Sequence, residues 1–429
     1  MKVEIVSRKL IKPATPTPPH LRSLKPSSID QLQLPIYGAF ICYYHANVDE
    51  NGQRSKRLEK SLSEILTLYY PIAGRYMKDK QMIVCNDEGV EYLQAQVSGK
   101  LAQLIQRDQV KVEVLTHLTP HIAMPSTSTP LAFVQVNMFE CGGLAIALLI
   151  SHILADGIAA CSFLNAWATA CRGAGVNEVI RPRFDLTSFF PPRQNIPAAV
   201  LPKKPGALII TERLVFDGAL ISRLKAIACE SALTKRQPSR VVVVTAFIWK
   251  VLIAIAQAKH GHLKPSILCH SLSLRGKTAL PIPDNSFGNL YMVTNARFGG
   301  DNESKIELHE LVGLLDDSIR NALADCRKPQ NGDDLVSLMT NSLREVHEER
   351  EGGETDIYMF TSWCRFPLYE ADFGFGKPIL VSSRPKPVEM VSLNDIKDDD
   401  GIEAWVSLDE RDMLLFQNHP EIKPFTSQI

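Results

Sequence analysis

The segment LAIALLISHILADG, residues 144–157, is the most informative part of the sequence. Its first seven residues form a nearly uniform apolar run, which is typical of a strand buried on both faces. A turn follows, and apolar side chains then recur every three residues from Ile158 to Trp167, which predicts a helix beginning after Asp156. A polar residue, His152, therefore stands where a buried strand gives way to a turn and a helix.

His152 is the candidate general base. A buried strand holds its backbone still, while imidazole, with an ordinary pKa near 6.5, can take a proton from an alcohol or amine and later return it. Asp156 has two open roles: it orients this part of the chain, or it caps the helix that begins at Gly157. Taken alone, the H-x-x-x-D spacing is weakly specific, because single histidines commonly have structural roles.

Length and composition limit the class of protein. At 429 residues the chain exceeds what one hydrophobic core usually supports, so two domains are expected. Hydrophobic residues make up 45% and charged residues 22%, as in ordinary globular proteins. The 47 basic and 47 acidic side chains cancel, which argues against a nucleic-acid partner.

Cysteine usage and apolar segments bear on compartment. The nine cysteines are scattered and form no C-x-x-C pair, which argues against a disulfide framework and a cysteine-based zinc site. The N-terminus shows no signal-peptide pattern. The longest apolar segment, 241–256, contains Lys250 and is too short to span a bilayer. We predict a cytoplasmic monomer without a membrane partner.

The order of the predicted elements indicates the fold class. Strands are predicted at 33–48, 131–139 (half-buried, by alternation), 144–150, 266–275, 378–382, 387–393 and 402–408, and helices at 57–69, after 156, at 238–257 and within 304–350. The elements do not alternate regularly, so we predict an α+β fold with mixed sheets flanked by helices. Prolines concentrate in 181–212. We therefore expect an N-terminal domain over 1–185, a crossover linker over 186–212 and a C-terminal domain over 213–429.

Several other patterns are better explained as structure. Asp372-Phe-Gly-Phe-Gly-Lys-Pro378 lacks the glycine and hydroxyl positions of a phosphate-binding P-loop, so it is interpreted as a strained structural turn. The acidic run Asp398–Asp400 before Gly401 fits a hairpin turn and fails the calcium-loop spacing. No G-x-S-x-G serine motif occurs, and no histidine pair has a partner in metal-ligand spacing, so no metal is expected.

Two separated motifs together carry a resemblance. His152-x-x-x-Asp156-Gly157 precedes Asp372-Phe-Gly-Phe-Gly-Lys-Pro378, and further matches run along the chain: Ser28-x-Asp30, Tyr70-Pro71-x-Ala73-Gly74-Arg75, Phe139-x-Cys141-Gly142-Gly143, Leu274-Arg275, Thr361-Ser362-Trp363 and Gly401-x-Glu403-Ala404-Trp405-Val406. This set resembles the BAHD family of plant acyl-CoA-dependent acyltransferases. It is most similar to alkaloid O-acetyltransferases of the vinorine synthase type. Phe375 replaces the usual Trp of D-F-G-W-G, and Ser273 stands where relatives often have Asn.

The resemblance implies two domains of similar size with a channel between them, in which acyl-CoA and acceptor meet at His152. Residues of roughly 360–385 are then expected to pack with the N-terminal domain. The implied reaction is acetyl transfer from acetyl-CoA, as co-substrate, to a hydroxyl of a plant alkaloid, with direct attack and no permanently bound cofactor. Malonyl, aromatic or branched donors and other alcohol or amine acceptors are the alternatives.

The same resemblance assigns roles to further residues. Asp156 pairs with Arg275 and holds the histidine loop, while Asp372, Gly374 and Gly376 support the fold. Thr361 and Trp363 line the reaction centre, where preorganised donors stabilise an oxyanion. Ser239 and Arg240 contact the CoA phosphates from the start of a helix.

Two other classes are weighed against this one. A carrier-protein-linked condensation domain shares H-x-x-x-D-G, but it has a doubled histidine where Ser151 stands and lacks the plant-type loop at 372–378. A noncatalytic binding protein of the same fold would not need His152.

Overall fold

The computed structural model describes the chain except residues 35, 47–50, 106–111, 123–125, 175–177, 195, 197–207, 230–236, 301–305 and 427–429. It divides into two units: unit 1 is Met1–Ala198, Ile282–Leu290 and Phe366–Arg384, and unit 2 is Ala199–Pro281, Tyr291–Arg365 and Pro385–Ile429. Each has a mixed sheet and helices, which confirms the predicted α+β class. The boundary near residue 198 lies within the predicted linker 186–212. Unit 1 takes in most of the predicted segment 360–385, and it also contains 282–290, which the sequence did not predict.

Unit 1 is built around a six-stranded sheet. Its elements are β1 (Val3–Ile11), β2 (Ser23–Leu24), α1 (Ser28–Gln31), β3 (Tyr37–Tyr44), α2 (Asn51–Leu66), β4 (Arg75–Met77), β5 (Met82–Val84), β6 (Val90–Val97), α3 (Leu101–Leu104), α4 (Val112–His117), β7 (Ala132–Phe139), β8 (Leu144–Ser151), α5 (Gly157–Thr169), α6 (Leu186–Phe189) and β13 (Leu380–Ser383). The strand order is β1-β6-β7-β8-β3-β13, with β6 and β7 parallel and the other pairs antiparallel. Strand β8 is buried along its whole length, as its apolar run predicts.

The neighbouring strand β7 differs from its prediction. Its alternation predicted a half-buried strand, yet Gln135 and Asn137 are both fully buried. Their amides donate to the carbonyls of His117 and Leu118, each at 2.9 Å. Because these hydrogen bonds replace water, polar side chains are accommodated in an interior that the pattern assigned to the surface.

Helix α2 buries the apolar face that the periodicity of its sequence predicts. Leu58, Leu62 and Ile65 lie on one face and are completely buried, as their spacing predicts. The helix begins at Asn51 and ends at Leu66. The predicted bounds 57–69 therefore differ at both ends, and the residues after the helix lead into a 3₁₀ turn, Tyr70–Ala73.

Unit 2 also contains a six-stranded sheet. Its elements are β9 (Ile209–Phe216), α7 (Gly218–Cys229), α8 (Arg240–His260), β10 (Ser266–Ser273), β11 (Tyr291–Phe298), α9 (Leu308–Asp325), α10 (Gly332–Gly352), β12 (Asp356–Ser362), β14 (Met390–Asp395), β15 (Ile402–Asp409), α11 (Glu410–Asn418) and α12 (Lys423–Thr426). The strand order is β11-β10-β12-β14-β15-β9, and the β10–β12 and β12–β14 pairs are parallel. Strands β14 and β15 form the predicted antiparallel hairpin, and Asp398 in its turn has φ 58°.

Helix α8 is the core helix of unit 2 and is longer than predicted. It spans 21 residues and, by length and composition, is apolar enough to cross a membrane, although most of that stretch is buried inside the protein. Trp249 and Val251 on either side of Lys250 are fully buried, while the Lys250 ammonium binds the Glu421 carboxylate at 2.9 Å. Lys250 therefore does not interrupt the helix.

Candidate active site

His152 occupies the first position after β8, in a turn whose backbone is held by hydrogen bonds. The His152 amide donates to the Ile36 carbonyl at 2.8 Å, and the amides of Leu154 and Ala155 donate to the Ser151 carbonyl. The next three side chains, Ile153 to Ala155, are buried, whereas that of His152 is partly exposed. The turn therefore holds the backbone of a partly exposed histidine in place.

Asp156 performs both roles that the sequence left open. One carboxylate oxygen accepts from the Ala159 amide at 2.8 Å, which caps the N-terminus of α5. The other accepts from the Leu290 amide at 3.0 Å, which ties the turn to the 282–290 segment. Only 6% of Asp156 is exposed. Arg275 follows β10 in unit 2, where its amide donates to the Ser273 hydroxyl at 3.4 Å, and its pairing with Asp156 stays a prediction.

Asn289, which was not predicted as a site residue, contacts the histidine turn. Its side-chain amide donates to the His152 carbonyl at 2.8 Å and to the Asp30 carboxylate at 2.8 Å. The preceding Gly288 has φ 143°, and a Cβ there would lie 2.6 Å from a Leu186 side-chain carbon. This requirement for glycine is one of backbone angle and space, so the sequence alone does not reveal it.

The loop that carries Asp372, Gly374 and Gly376 is organised by its own backbone. The Asp372 carboxylate accepts from the amides of Gly374 and Gly376, at 2.8 and 3.0 Å. Both glycines have φ above 90°, in the region that side chains disfavour. A Cβ on Gly374 would also lie 2.5 Å from the Arg57 guanidinium. The loop is thus an anchored turn with the geometry of a structural element.

Phe375, which stands in place of the family tryptophan, keeps the loop packed. Its ring stacks against Phe373 at 5.9 Å between centroids and meets Tyr44 edge-on at 5.1 Å. The Arg54 guanidinium lies over the same ring, 4.8 Å from its centroid. Phe373 is fully buried against Trp167. The aromatic exchange therefore preserves a cluster that joins the loop to α2, α5 and β3.

In unit 2, Thr361 and Trp363 lie at the end of β12. Thr361 is in register with Ser392 of the parallel strand β14, and the Trp363 amide donates to the Leu393 carbonyl at 2.8 Å. The Lys386 ammonium lies 4.8 Å from the centroid of the Trp363 ring. These contacts fix the backbone of both residues; their place at the reaction centre stays a prediction.

Ser239 and Arg240 begin helix α8 and have protein partners. The Ser239 hydroxyl accepts from the Val242 amide at 3.1 Å, which caps the helix. The Arg240 guanidinium donates to the Asp395 carboxylate at 2.7 Å and to the Gly401 carbonyl at 3.2 Å. The second Asp395 oxygen accepts from the Arg365 amide at 2.5 Å. Arg240 is therefore joined through Asp395 to the segment after Trp363, and its contact with CoA phosphates stays a prediction.

The thiol nearest to Trp363 in sequence is unsuited to nucleophilic attack. Burial raises the pKa of Cys364 to about 12, with a smaller opposing effect from the Ser362 hydroxyl. Because the thiolate is the nucleophile, a thiol with this pKa is almost entirely unreactive near neutral pH. The structure gives Cys364 no feature of a covalent acyl carrier.

A group of acidic residues in unit 2 has the spacing of metal ligands. Within the described ranges, Glu389, Asp409 and Asp412 are the acidic or ligating side chains close enough to hold one ion. Asp409 already caps α11, and Lys259 binds Asp412 at 2.7 Å. Both carboxylates therefore have protein partners.

Comparison with known proteins decides the family. The profile of the Transferase family matches residues 1–423. The chain belongs to the BAHD family of acyl-CoA-dependent acyltransferases. It is 37% identical to acetyl-CoA-benzylalcohol acetyltransferase of Clarkia breweri over the whole of both chains. It is 35% identical to vinorine synthase of Rauvolfia serpentina over 96% of each chain.

The fold agrees with that of a solved BAHD structure. The crystal structure of vinorine synthase aligns with a TM-score of 0.83 and 33% identity, covering 99% of this chain and 98% of the other. The resemblance carried by the two motifs is thereby confirmed. As a BAHD member the protein is an acyltransferase that uses acyl-CoA as co-substrate and acts on a small-molecule acceptor.

Proposed function

We propose that this BAHD enzyme transfers an acetyl group from acetyl-CoA to the hydroxyl of a plant alkaloid, with His152 as the general base. The observation that carries the proposal is the turn after β8. In it the backbone of His152 is hydrogen-bonded to Ile36 and Asn289, and the side chains of the next three residues are buried. A base held in one geometry is what proton transfer from a bound alcohol requires.

The chemistry needs one proton carrier. Imidazole removes the hydroxyl proton while the alcohol oxygen attacks the thioester carbonyl carbon, forming the new C–O bond. The tetrahedral intermediate then collapses, its C–S bond breaks, and the CoA thiolate takes the proton back from the imidazolium. Donors in the segment of Thr361 and Trp363 are assigned to the oxyanion, in agreement with the resemblance. The raised pKa of Cys364 supports direct transfer over an acyl-enzyme.

The acceptor is proposed from relatives. Stemmadenine O-acetyltransferase of Catharanthus roseus, 34% identical, and vinorine synthase support an alkaloid alcohol with acetyl-CoA as donor. The second candidate is a simple aromatic alcohol, favoured by the 37% identity to the benzyl alcohol acetyltransferase.

The test supplies purified protein with acetyl-CoA or malonyl-CoA and a panel of indole alkaloid alcohols and benzyl alcohol, with products read by mass spectrometry. Acetylated alkaloid as the main product supports the proposal; acetylated benzyl alcohol or malonylated products select the alternatives. His152→Ala should lower kcat by about 10²–10⁴ and leave the KM for acetyl-CoA nearly unchanged. The matched control is His262→Ala, since that ring contacts the His260 carbonyl on the surface. Retention of more than about a tenth of kcat by His152→Ala contradicts a base of this strength.

A further inference from the structure

The Asn289 side chain joins the histidine turn to a buried carboxylate. Its NH₂ group has two protons: one goes to Asp30 at 2.8 Å and the other to the His152 carbonyl at 2.8 Å. Both partners are acceptors, which fixes the amide orientation, because the reverse orientation would place its oxygen against two oxygens. Asn289 is completely buried, so these hydrogen bonds do not compete with water.

Asp30 is the fixed end of this connection. Its carboxylate accepts from the Ser27 amide and hydroxyl at 2.9 and 2.7 Å, and from the Asn289 amide at 2.9 Å in addition to the side chain. The Ser27 hydroxyl in turn accepts from the Asp30 amide, which makes a capping box at the start of α1. Burial raises the pKa of the Asp30 carboxyl, and the bonds from Ser27 and Asn289 oppose that effect.

Two adjacent backbone amides complete the arrangement. The Asn289 amide binds Asp30, and the Leu290 amide binds Asp156 at 3.0 Å. The turn is thus held at its start, through the His152 carbonyl, and at its end, through Asp156. On the other side the His152 amide is bound by the Ile36 carbonyl. Both backbone polar groups of the histidine therefore have hydrogen-bond partners within unit 1.

We propose that Asn289, braced by Asp30, is a positioning residue that sets the direction of the His152 ring. The inference rests on the proposed role of His152 as general base. Nothing in the arrangement requires Asn289 to touch a substrate; it acts through the backbone from which the imidazole projects. Since small misplacements of a reacting group strongly slow a reaction, Asn289→Ala is expected to lower kcat about 10- to 100-fold without raising the KM for acetyl-CoA.

The matched control is Asn137→Ala. Asn137 is also completely buried in unit 1, and its amide donates to the carbonyls of Leu118 and Ala145. Asn137 is in register with Ala145, near the start of β8, whereas His152 follows the end of that strand. At the rise of a strand the two residues lie about 20 Å apart. Asn137→Ala is expected to lose comparable stability and to keep kcat within about threefold of wild type.

Two further measurements separate positioning from folding. In a His152→Ala background, Asn289→Ala should leave the residual rate unchanged, because a residue that acts through the histidine has nothing left to position. Hydrogen exchange of residues 151–157 should quicken in Asn289→Ala and stay as in wild type in Asn137→Ala. If Asn289→Ala does not fold, Asn289→Ser is measured instead, since its single hydroxyl proton can reach one acceptor but not both.

The outcomes separate this proposal from the proposed function. Unchanged exchange over 151–157, a kcat loss no greater than that of Asn137→Ala, or additive losses with His152→Ala would each overturn the positioning role. A wild-type protein that acetylates no alcohol refutes the proposed function, and the exchange measurement still decides whether Asn289 holds the turn. Full activity in His152→Ala refutes the general base and, with it, the catalytic role of Asn289, whereas acetyl transfer itself would stand.

Discussion

Replacing Asp156 by alanine should lower both the free energy of unfolding and kcat. The substitution removes two hydrogen bonds that serve different parts of unit 1: the cap on Ala159 and the link to Leu290. The first stabilises α5, whereas the second holds the turn that carries His152. We therefore expect one substitution to change stability and kcat through separate contacts.

The magnitude follows from the two contacts. Loss of a side-chain N-cap lowers the free energy of unfolding by about 0.5–2 kcal/mol. Leu290 is 1% exposed, so its amide would lose its acceptor in the interior, which costs about 1–3 kcal/mol more. The sum predicts that Asp156→Ala lowers the free energy of unfolding by about 1.5–5 kcal/mol and kcat by at least about tenfold.

The assay is urea unfolding followed by steady-state kinetics on the folded fraction, with Asp409→Ala as control. Asp409 caps α11 through the amides of Arg411 and Asp412, and its exposure of 8% is close to the 6% of Asp156. The control loses a helix cap without loosening the histidine turn, so its kcat should stay near wild type. Equal stability loss in the two variants, or an Asp156→Ala enzyme with wild-type kcat, would show that the bond from Leu290 to Asp156 does not hold the histidine turn.

Three further outcomes are expected. Burial lowers the pKa of His270 to about 4, so the unfolded chain binds a proton below about pH 6.5 that the native state does not bind. The free energy of unfolding should therefore fall by about 2 kcal/mol from pH 7 to pH 5. His270→Asn should abolish that part of the pH dependence in urea unfolding. Initial-rate lines should intersect when acetyl-CoA and alcohol are both varied, and Cys364→Ser should keep full activity; parallel lines with an acyl mass shift on the protein would mean a covalent intermediate. In a double-mutant cycle, Asp156→Ala and Arg275→Ala together should lose no more activity than either alone, and strictly additive losses would rule out the predicted pair.

The regular elements near the catalytic motif could be predicted because their signals are local. The apolar run 144–150 and the helix after Asp156 both appear in the structure close to their predicted bounds. Periodicity and capping chemistry depend on neighbours a few residues away, so a single sequence contains them. The burial of Asn137 could not be predicted, since its partners, the carbonyls of Leu118 and Ala145, are brought to it only by folding.

The residues of the candidate site also differ in whether a local sequence pattern predicts them. His152 and Asp156 carry recognisable chemistry at recognisable spacing, but Asn289 lies far along the chain and resembles any polar loop residue. Its importance depends on a hydrogen bond to His152 and another to Asp30, neither of which leaves a local pattern. For the same reason the hydrogen bond from Leu290 to Asp156 was not predicted, although the capping role of Asp156 was.

The assignment of 282–290 and 366–384 to unit 1 has a consequence for protein synthesis. Residues 1–198 are synthesised before Asn289, which holds the histidine turn, and before β13, which pairs with the edge of β3. During that interval the backbone groups of Phe40 to Tyr43 lack the strand that pairs with them in the finished sheet, and an open edge of this kind invites pairing with other chains. Unit 1 can therefore complete its fold only once translation has passed residue 384, and no contiguous gene fragment ending earlier encodes it.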